Sequence, residues 1–283
     1  MQHLLTPVII SFLLPLGILV MFYMCALLIQ LFHLRGYLFN ISYTNYQELL
    51  TKWLAGVWVA HGSIWHGYEV SGLSNIPAEG GALIISYHAT LPVDLYYLLA
   101  TIYSKRNRIV YCVGDNLLYK IPGFKMLMRE LRVIPGTVAT CSELLQNGNL
   151  MAIAPGGVRE ALFGDEYYNL LWANRKGFAK VIKEAGVPVI PMFTKNSREA
   201  FRTIGLFKSF FRYLYERYRF PFVPIYGGYP VKLKTYLGEP ITFDESRTID
   251  EISDEVKSAI ENLIRTHQRI PGRIISSIIE RFH

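Results

Sequence analysis

The segment 86–94 combines two residue types that can do acid–base chemistry, His88 and Asp94, directly after an apolar run. Thr90 can cap a following helix, and Pro92 is tolerated in a first helical turn. Asp94 would then lie in that turn, where the helix dipole favours an ionised carboxylate that could orient the imidazole. A positioned histidine base accelerates the reaction of an alcohol by about 10²–10⁴-fold. The alternative for these residues alone is a structural cap at a strand end.

A second segment, 154–160, also follows an apolar run. Paired glycines let the backbone approach a ligand, and exposed amides can face an oxyanion or a phosphate. An arginine would add a fixed positive charge, while an ordinary turn is the alternative. The candidate binding residues of this segment are Pro155, Gly156, Gly157, Arg159 and Glu160.

The surrounding pattern predicts an α/β fold, a largely parallel twisted sheet flanked by helices. Several apolar runs lack alternation, as is typical of strands covered on both faces. The predicted strands are 81–87, 108–113, 150–154, 187–193 and 231–237, and the predicted helices are about 92–104, 122–131, 139–146 and 172–185. Thr248 and Glu251 form a capping box that predicts a further helix through about residue 268.

The N-terminal region predicts a membrane anchor, since residues 4–32 contain no Lys, Arg, Asp or Glu. Such a helix is longer than the roughly 30 Å hydrocarbon core of a bilayer. Pro7 and Pro15 leave open a kinked or re-entrant pair of short helices. A cleaved signal peptide is disfavoured, because no basic residue precedes the run and no convincing cleavage site follows it. His33 and Arg35 place the remainder on the cytosolic side.

The charge pattern narrows the classes of molecule that the protein is expected to bind. The net charge of +7 falls almost entirely after the anchor, where it suits anionic headgroups or an anionic co-substrate. No basic run or known motif indicates nucleic acid. The three cysteines show neither a disulfide framework nor metal-ligand spacing. The aromatic residues of 41–70 indicate an interfacial helix, with a second membrane element as the alternative. The basic, aromatic segment 200–230 indicates a helix on the membrane surface, with a core helix with snorkelling arginines as the alternative.

Four blocks in order resemble the glycerolipid acyltransferase superfamily, which includes the lysophosphatidic acid acyltransferases. That family carries His-x4-Asp, a Gly- and Pro-containing block, Phe-Pro-Glu-Gly-Thr-Arg and Val-Pro-Val-x-Pro. The corresponding residues here are His88 to Asp94, one residue longer than the family spacing, then 120–136, 155–159 and 187–191.

The departures from the family pattern bear on the acceptor. Gly156 stands where the family has Glu, Val158 where it has Thr, and Gly136-Thr137 where an Arg follows the second-block Pro. Losing these polar groups favours an acceptor without a phosphate. The longer first block and residues 158–162 most resemble the transmembrane protein 68 group and the diacylglycerol acyltransferases.

The resemblance implies a membrane-bound O-acyltransferase of the endoplasmic reticulum that moves a fatty acyl group from acyl-CoA to a mono- or diacylglycerol. His88 would be the base and Asp94 its orienting carboxylate, with the segment 155–160 on the acceptor or oxyanion side. Acyl-CoA is a co-substrate, and no metal or bound cofactor is implied. The alternatives are a lysophospholipid or another lipid alcohol as acceptor, and a non-catalytic lipid-binding membrane protein.

The predicted organisation therefore has four parts. They are a membrane anchor (1–40), an interfacial helical region (41–79), an acyltransferase catalytic domain (80–245) and C-terminal helices (246–283).

Overall fold

The computed structural model describes residues 2–40, 43–219 and 221–283, with the backbone alone for 2–5 and 43–45. The helices in these ranges are α1 (Gln2–Leu38), α2 (Tyr43–His66), α3 (Val93–Arg106), α4 (Phe124–Glu130), α5 (Val138–Gln146), α6 (Gly157–Phe163), α7 (Gly177–Ala185), α8 (Ser197–Ala200), α9 (Lys208–Tyr218), α10 (Ile249–His267) and α11 (Ile274–Ile279). The strands are β1 (Glu69–Ser71), β2 (Ala82–Ser86), β3 (Val110–Val113), β4 (Val133–Ile134), β5 (Leu150–Ile153), β6 (Val189–Lys195), β7 (Phe201–Thr203), β8 (Ile225–Gly227) and β9 (Lys234–Leu237).

The main sheet has seven strands in the order β1-β9-β6-β2-β5-β3-β4. Its neighbouring strands are parallel except for β6 and β9, which are antiparallel. This arrangement confirms the predicted α/β class and the largely parallel sheet. The remaining two strands, β7 and β8, form a separate antiparallel pair around α9.

Helices cover both faces of the sheet, and β2 shows why its sequence lacks alternation. Ile84 packs on one face with α1, α2, α3 and α4, while Leu83 and Ile85 pack on the other with α5, α7 and α10. All three side chains are fully buried, and burying one of this size stabilises a fold by about 1.5–3 kcal/mol. The central strand is thereby fixed in register, together with the segment that follows it.

Each of the five predicted strand ranges overlaps an observed strand, and each predicted helix range overlaps an observed helix. The helix expected from residue 172 begins only at Gly177. Tyr168 and Ala173 have positive φ values of 58° and 50°, a conformation that an α-helix cannot accommodate. The loop before α7 therefore extends further than its apolar pattern indicates.

Helix α1 is continuous through Pro7 and Pro15, so the alternative of two short helices is not observed. Residues Thr6–Leu38 are long and apolar enough to cross a bilayer, which makes the helix a candidate membrane anchor. Its buried residues, among them Cys25 and Ile29, pack on the body of the protein, while most of its length exposes large apolar side chains.

The predicted capping box is confirmed at the start of α10. The Thr248 hydroxyl accepts a hydrogen bond from the Glu251 amide (3.2 Å), and the Glu251 carboxylate accepts one from the Thr248 amide (2.7 Å). Strand β1 lies within the range 41–79 and pairs with β9, so the main sheet includes residues from that part of the chain. Residues 41 and 42, at the start of that range, lie outside the described residues.

Candidate active site

His88 follows β2 at the carboxyl end of the central strand, and its ring is held by a local contact. Nδ1 lies 2.7 Å from the carbonyl oxygen of Ala89. Because a carbonyl can only accept, Nδ1 carries the hydrogen and Nε2 keeps its lone pair. The pKa of His88 is lowered to about 4, mainly by burial and also by the positive charges of Arg198 and Arg175, while the hydrogen bond to Ala89 acts in the opposite direction. The ring is therefore neutral at pH 7 and has a free basic nitrogen.

The backbone of His88 is fixed on both sides by charged groups. Its N–H donates to Oε2 of Glu160 (2.8 Å). Its carbonyl oxygen accepts a hydrogen bond from Nη2 of Arg198 (3.0 Å). We call Glu160 and Arg198 the His88 clamp. These two contacts bring the 86–94 and 154–160 segments together.

Glu160 lies in the first turn of α6 and is completely buried (0% exposed). Its second oxygen, Oε1, accepts a hydrogen bond from the amide of Leu171 (2.8 Å). Burial raises the pKa of this carboxyl to about 7, although hydrogen bonds from His88 and Leu171 and the charges of Arg198 and Arg175 act in the opposite direction. Both oxygens of Glu160 are thus engaged by backbone amides.

The position of Glu160 explains the glycine that departs from the family pattern. A Cβ atom on Gly156 would lie 2.4 Å from Oε2 of Glu160, closer than non-bonded atoms can approach. The carboxylate of Glu160, one helical turn further along, therefore fills the space beside Gly156. The family has a glutamate at the position of Gly156. Only glycine fits at 156 while Glu160 keeps this conformation.

Arg198 is 1% exposed and lies just after β6. Nε donates to the Tyr87 hydroxyl (2.6 Å), and Nη1 donates to the Thr90 hydroxyl (2.8 Å) and the Ala161 carbonyl (2.8 Å). Nη2 also donates to the Glu160 carbonyl. Sequence reasoning missed this residue, although a polar side chain shortly after an apolar strand was also the signal that singled out His88.

The predicted capping role of Thr90 is wrong. Pro92 occupies the N-cap position of α3, and no side chain caps that helix end. The Thr90 hydroxyl instead accepts from Arg198 at 2.8 Å. A buried guanidinium with several donors to place competes for this oxygen, since an unpaired buried donor is costly.

Asp94 lies in the first turn of α3, as expected, and is 4% exposed. Burial raises its pKa to about 6, opposed by hydrogen bonds from the Thr194 hydroxyl and the Leu95 amide. Thr194 in turn bonds to Thr235 (2.8 Å), its register partner on β9, and Thr235 bonds to the Tyr68 hydroxyl (2.8 Å). We call Thr194, Thr235 and Tyr68 the hydroxyl chain.

The hydroxyl chain has one direction when Asp94 is ionised. A carboxylate only accepts, so Thr194 must donate to it, and the hydroxyls behind must each donate one step forward. Among the described residues, no hydrogen bond or ion pair joins the Asp94 carboxylate to the His88 ring. The tautomer of His88 is therefore set by the Ala89 carbonyl.

The third block contacts a second arginine, Arg175, which is exposed. Nη1 of Arg175 donates to the carbonyl oxygens of Gly156 (2.7 Å) and Pro155 (3.3 Å). Gly157 has φ +50°, and a Cβ there would lie 2.7 Å from the same nitrogen. The positive φ favours glycine at 157, whereas the nearby atom belongs to the flexible end of the exposed Arg175 side chain.

Arg159 points elsewhere. Its Nη2 lies 3.5 Å from Oε1 of Glu216 on α9. The structure thus gathers His88, Gly156 and Glu160 by direct contact and directs Arg159 towards the basic, aromatic helix.

A cleft of about 820 Å³ adjoins Pro155 at the carboxyl ends of β3 and β5. The basic side chains Arg175, Lys176 and Lys180 line it, and α5, α7 and α10 all begin at its wall. Helix N-termini carry partial positive charge and bind anions. Asp250 offsets part of this charge through its ion pair with Lys176.

Known proteins that are similar to this chain indicate its family. The sequence model of the family described as Acyltransferase matches residues 67–195. A protein of Bos taurus named "DGAT1/2-independent enzyme synthesizing storage lipids" is 46% identical over 277 residues, which cover 98% of this chain and 82% of that protein. The Homo sapiens protein of the same name is 45% identical over 278 residues, with 98% and 85% covered.

Among solved structures, the 1-acyl-sn-glycerophosphate (LPA) acyltransferase PlsC from Thermotoga maritima is similar, with a TM-score of 0.49 and 18% identity over 86% of this chain and 96% of that chain. The extended similarity to the storage-lipid enzymes, which runs through nearly the whole chain, carries the assignment. The chain belongs to the acyltransferase family, in the group of these storage-lipid-synthesising enzymes.

Proposed function

We propose that the protein is a membrane-bound O-acyltransferase that moves a fatty acyl group from acyl-CoA to the hydroxyl of a mono- or diacylglycerol. The observation that carries the proposal is the neutral His88 ring, whose Nδ1 is bound to Ala89 and whose Nε2 retains its lone pair. A neutral imidazole nitrogen is the general base that an unactivated alcohol needs.

The reaction follows from that nitrogen. Nε2 takes the proton of the acceptor hydroxyl as its oxygen attacks the thioester carbonyl carbon. The tetrahedral intermediate collapses, the carbon–sulfur bond breaks, and the leaving thiolate takes the proton back from the imidazolium. The products are an ester and free CoA, and His88 returns to its neutral form. Unlike the carboxylate of a hydrolase triad, Asp94 makes no hydrogen bond with the His88 ring among the described residues, so its proposed role is to stabilise the transient imidazolium by its charge alone.

The basic cleft supports acyl-CoA as the donor. CoA carries phosphate groups, and Arg175, Lys176 and Lys180 with three helix N-termini offer complementary charge. The cleft adjoins Pro155, whose carbonyl binds Arg175. A phosphate held there would leave the thioester arm free to extend along the third block.

The altered third block supports a neutral acceptor. Gly156 and Val158 provide no polar side chain, and both oxygens of Glu160 are bound to amides. Arg159 is paired with Glu216. Few groups of this block remain for a lipid phosphate, and the relatives are named for synthesising storage lipids.

Two exposed apolar surfaces support a membrane location, while the endoplasmic reticulum is proposed from the family resemblance and the cytosolic side from His33 and Arg35 after the anchor. Helix α1 exposes apolar side chains along most of its length. Helix α9 and its flanks expose a second group, which contains Phe207, Phe210, Tyr213 and Tyr218. Phe12 of α1 packs against Tyr226 of β8, next to α9, so the two surfaces lie on neighbouring elements.

A competition assay tests the acceptor. Purified full-length protein in detergent micelles receives labelled acyl-CoA with diacylglycerol and lysophosphatidate at equal concentrations. We expect labelled triacylglycerol to be the main product. Preferential labelling of phosphatidate would instead establish the alternative acceptor class and contradict the neutral-glyceride proposal.

The H88A variant tests catalysis itself. Loss of the base should reduce acyl transfer by about 10²–10⁴-fold, whereas H283A, at an exposed histidine, should behave as wild type. Equal product formation by wild type and H88A would remove His88 from the mechanism. No acyl transfer by the folded wild-type protein to either acceptor would favour a lipid-binding protein without catalysis.

A further inference from the structure

The His88 clamp suggests a role for Glu160 that differs from substrate contact. We propose that Glu160 is a positioning residue whose carboxylate, together with Arg198, holds the His88 backbone so that Nε2 meets the acceptor hydroxyl. This inference rests on the proposed function, because it assigns the group that aims the base.

Burial excludes a direct contact between Glu160 and a bound lipid in this conformation. The side chain is 0% exposed, and its two oxygens accept from His88 N (2.8 Å) and Leu171 N (2.8 Å). Glu160 can therefore affect the reaction only through the two chain segments that it joins. One of these segments contains His88, the proposed base.

The clamp acts on both polar groups of one residue. Glu160 accepts from the His88 N–H, while Arg198 donates to the His88 carbonyl (3.0 Å). Arg198 also donates to the carbonyl of Glu160, so the two clamp residues are joined to each other. The peptide groups on both sides of His88 therefore cannot rotate independently, and this fixes the Cα–Cβ direction from which the ring extends.

A carboxylate is the side-chain group suited to this place. Two backbone N–H groups converge on it, and an ionised carboxylate has an acceptor for each. A glutamine amide has one accepting oxygen, so its NH₂ would face one of the two N–H donors. The side chain must then turn, and the amide of His88 or Leu171 moves or loses its partner.

Gly156 shows that the site is built tightly around this carboxylate. A Cβ on that residue would approach Oε2 of Glu160 to 2.4 Å. The Glu160 carboxylate thus occupies the space that a side chain at 156 would need, and its position determines that of the His88 amide.

The test compares E160Q, E160D and the control E143Q, which changes an exposed glutamate on α5. Purified full-length variants are assayed for kcat and KM with acyl-CoA and diacylglycerol, and their folding is checked by thermal denaturation. Displacing a base by about 1 Å can cost about 10²-fold in rate, so we expect E160Q to lower kcat by about 10- to 100-fold with little change in KM. E143Q should match wild type.

The pH dependence adds a readout that a structural role alone would not move. Arg198 and Arg175 keep their charge at all working pH values, and burial raises the pKa of Tyr87, so that it stays neutral. The His88 ring titrates near pH 4, which leaves Glu160, near pH 7, as the clamp group that changes. Protonation makes the carboxyl resemble glutamine, so the ratio of wild-type to E160Q kcat should shrink as pH falls below about 7.

Three results would overturn the proposal: wild-type kcat in folded E160Q, a raised KM with unchanged kcat, or a kcat ratio that is constant with pH. If E160Q does not fold, E160D decides, since it keeps the charge on a shorter arm. We expect E160D to lower kcat with unchanged KM, and wild-type kcat in E160D would contradict the role. If wild type is active and H88A is inactive, the proposed function is supported. Unexpected kinetics of the Glu160 variants would then contradict the positioning role of Glu160 alone.

Discussion

Asp94, six residues after His88, and Glu160, which binds the His88 amide, are two buried carboxylates that are held by different kinds of donor. Asp94 accepts from the side-chain hydroxyl of Thr194 as well as a first-turn amide, whereas Glu160 accepts from two backbone amides. A hydroxyl can donate or accept, while an amide N–H can only donate. The Asp94 site can therefore adapt to a neutral side chain, and the Glu160 site cannot.

The two sites share an energetic cost. Burial raises the pKa of Asp94 to about 6 and that of Glu160 to about 7. Each carboxylate is therefore less stable ionised in the folded chain than in the unfolded one. Ionised groups that destabilise a fold are expected where their charge serves function. Glu160 binds the His88 amide, and Asp94 lies six residues after His88.

Replacing Arg198, the partner of Glu160 in the His88 clamp, should have the largest effect on stability. R198M leaves the Tyr87 and Thr90 hydroxyls and the carbonyls of His88 and Ala161 without their donor. Breaking such a buried charged network should lower the free energy of unfolding by about 3–5 kcal/mol. Chemical denaturation measures the loss, and R265M, at an exposed arginine of α10, should change it by less than about 0.5 kcal/mol. A similar small change in R198M would contradict the clamp.

The pH dependence of stability should separate the Glu160 site from the rest. A raised carboxyl pKa means that the folded state holds the proton longer, so stability is lost as pH rises from about 4.5 to about 7. For Glu160 the full difference is roughly 3 kcal/mol. His88 and His66, with lowered pKa values of about 4 and about 3, act in the opposite direction below pH 6.5.

Subtraction isolates the Glu160 contribution. The unfolding free energy of wild type minus that of E160Q should decrease across this pH window, because E160Q has no carboxyl to ionise. A difference that stays flat between pH 4.5 and 7.5 would show that the carboxyl is not perturbed by burial.

The D94N variant should show the adaptability of the other site. The Thr194 hydroxyl can reverse and accept from the asparagine amide, and D94N removes a buried charge whose pKa is raised to about 6, so the unfolding free energy at pH 7 should equal that of wild type or exceed it by up to about 3 kcal/mol. The negative charge that stabilises the imidazolium is lost, and kcat should fall by about 10- to 100-fold. Steady-state kinetics and denaturation are measured on the same sample. Unchanged kcat would leave Asp94 with a structural role alone.

The smallest effect is expected at the hydroxyl chain. T194V removes the donor to Asp94 and leaves Thr235 without its acceptor, which should cost about 1–2 kcal/mol of stability. T194S retains the hydroxyl and should stay closer to wild type. Equal stability of the valine and serine variants would indicate that this hydroxyl contributes nothing to holding the carboxylate.

The local parts of this arrangement were predictable from sequence. Apolar runs predicted the strands, and the rule that ligands bind at strand ends singled out His88 and the segment 154–160. The capping box at Thr248 is equally local, since its donors lie within one turn. Such features depend on residues a few positions apart, where spacing alone decides the contact.

The long-range contacts were not predictable in the same way. Arg198 reaches His88 across 110 residues, and Glu160 reaches it across 72. The hydroxyl chain depends on the register of β6 and β9, the antiparallel pair in an otherwise parallel sheet. Glu160 was expected at the substrate, and only packing reveals that its side chain turns inwards.

The proposed function requires that His88 presents a neutral imidazole whose Nε2 carries no hydrogen. Nitrogen NMR of ¹⁵N-histidine-labelled full-length protein tests it, with the His88 signals assigned by their absence from H88Q among the seven histidines. At pH 7 we expect a protonated Nδ1 and an unprotonated Nε2, and we expect this neutral tautomer to persist down to about pH 5. An imidazolium at pH 7, or the tautomer with hydrogen on Nε2, would contradict it.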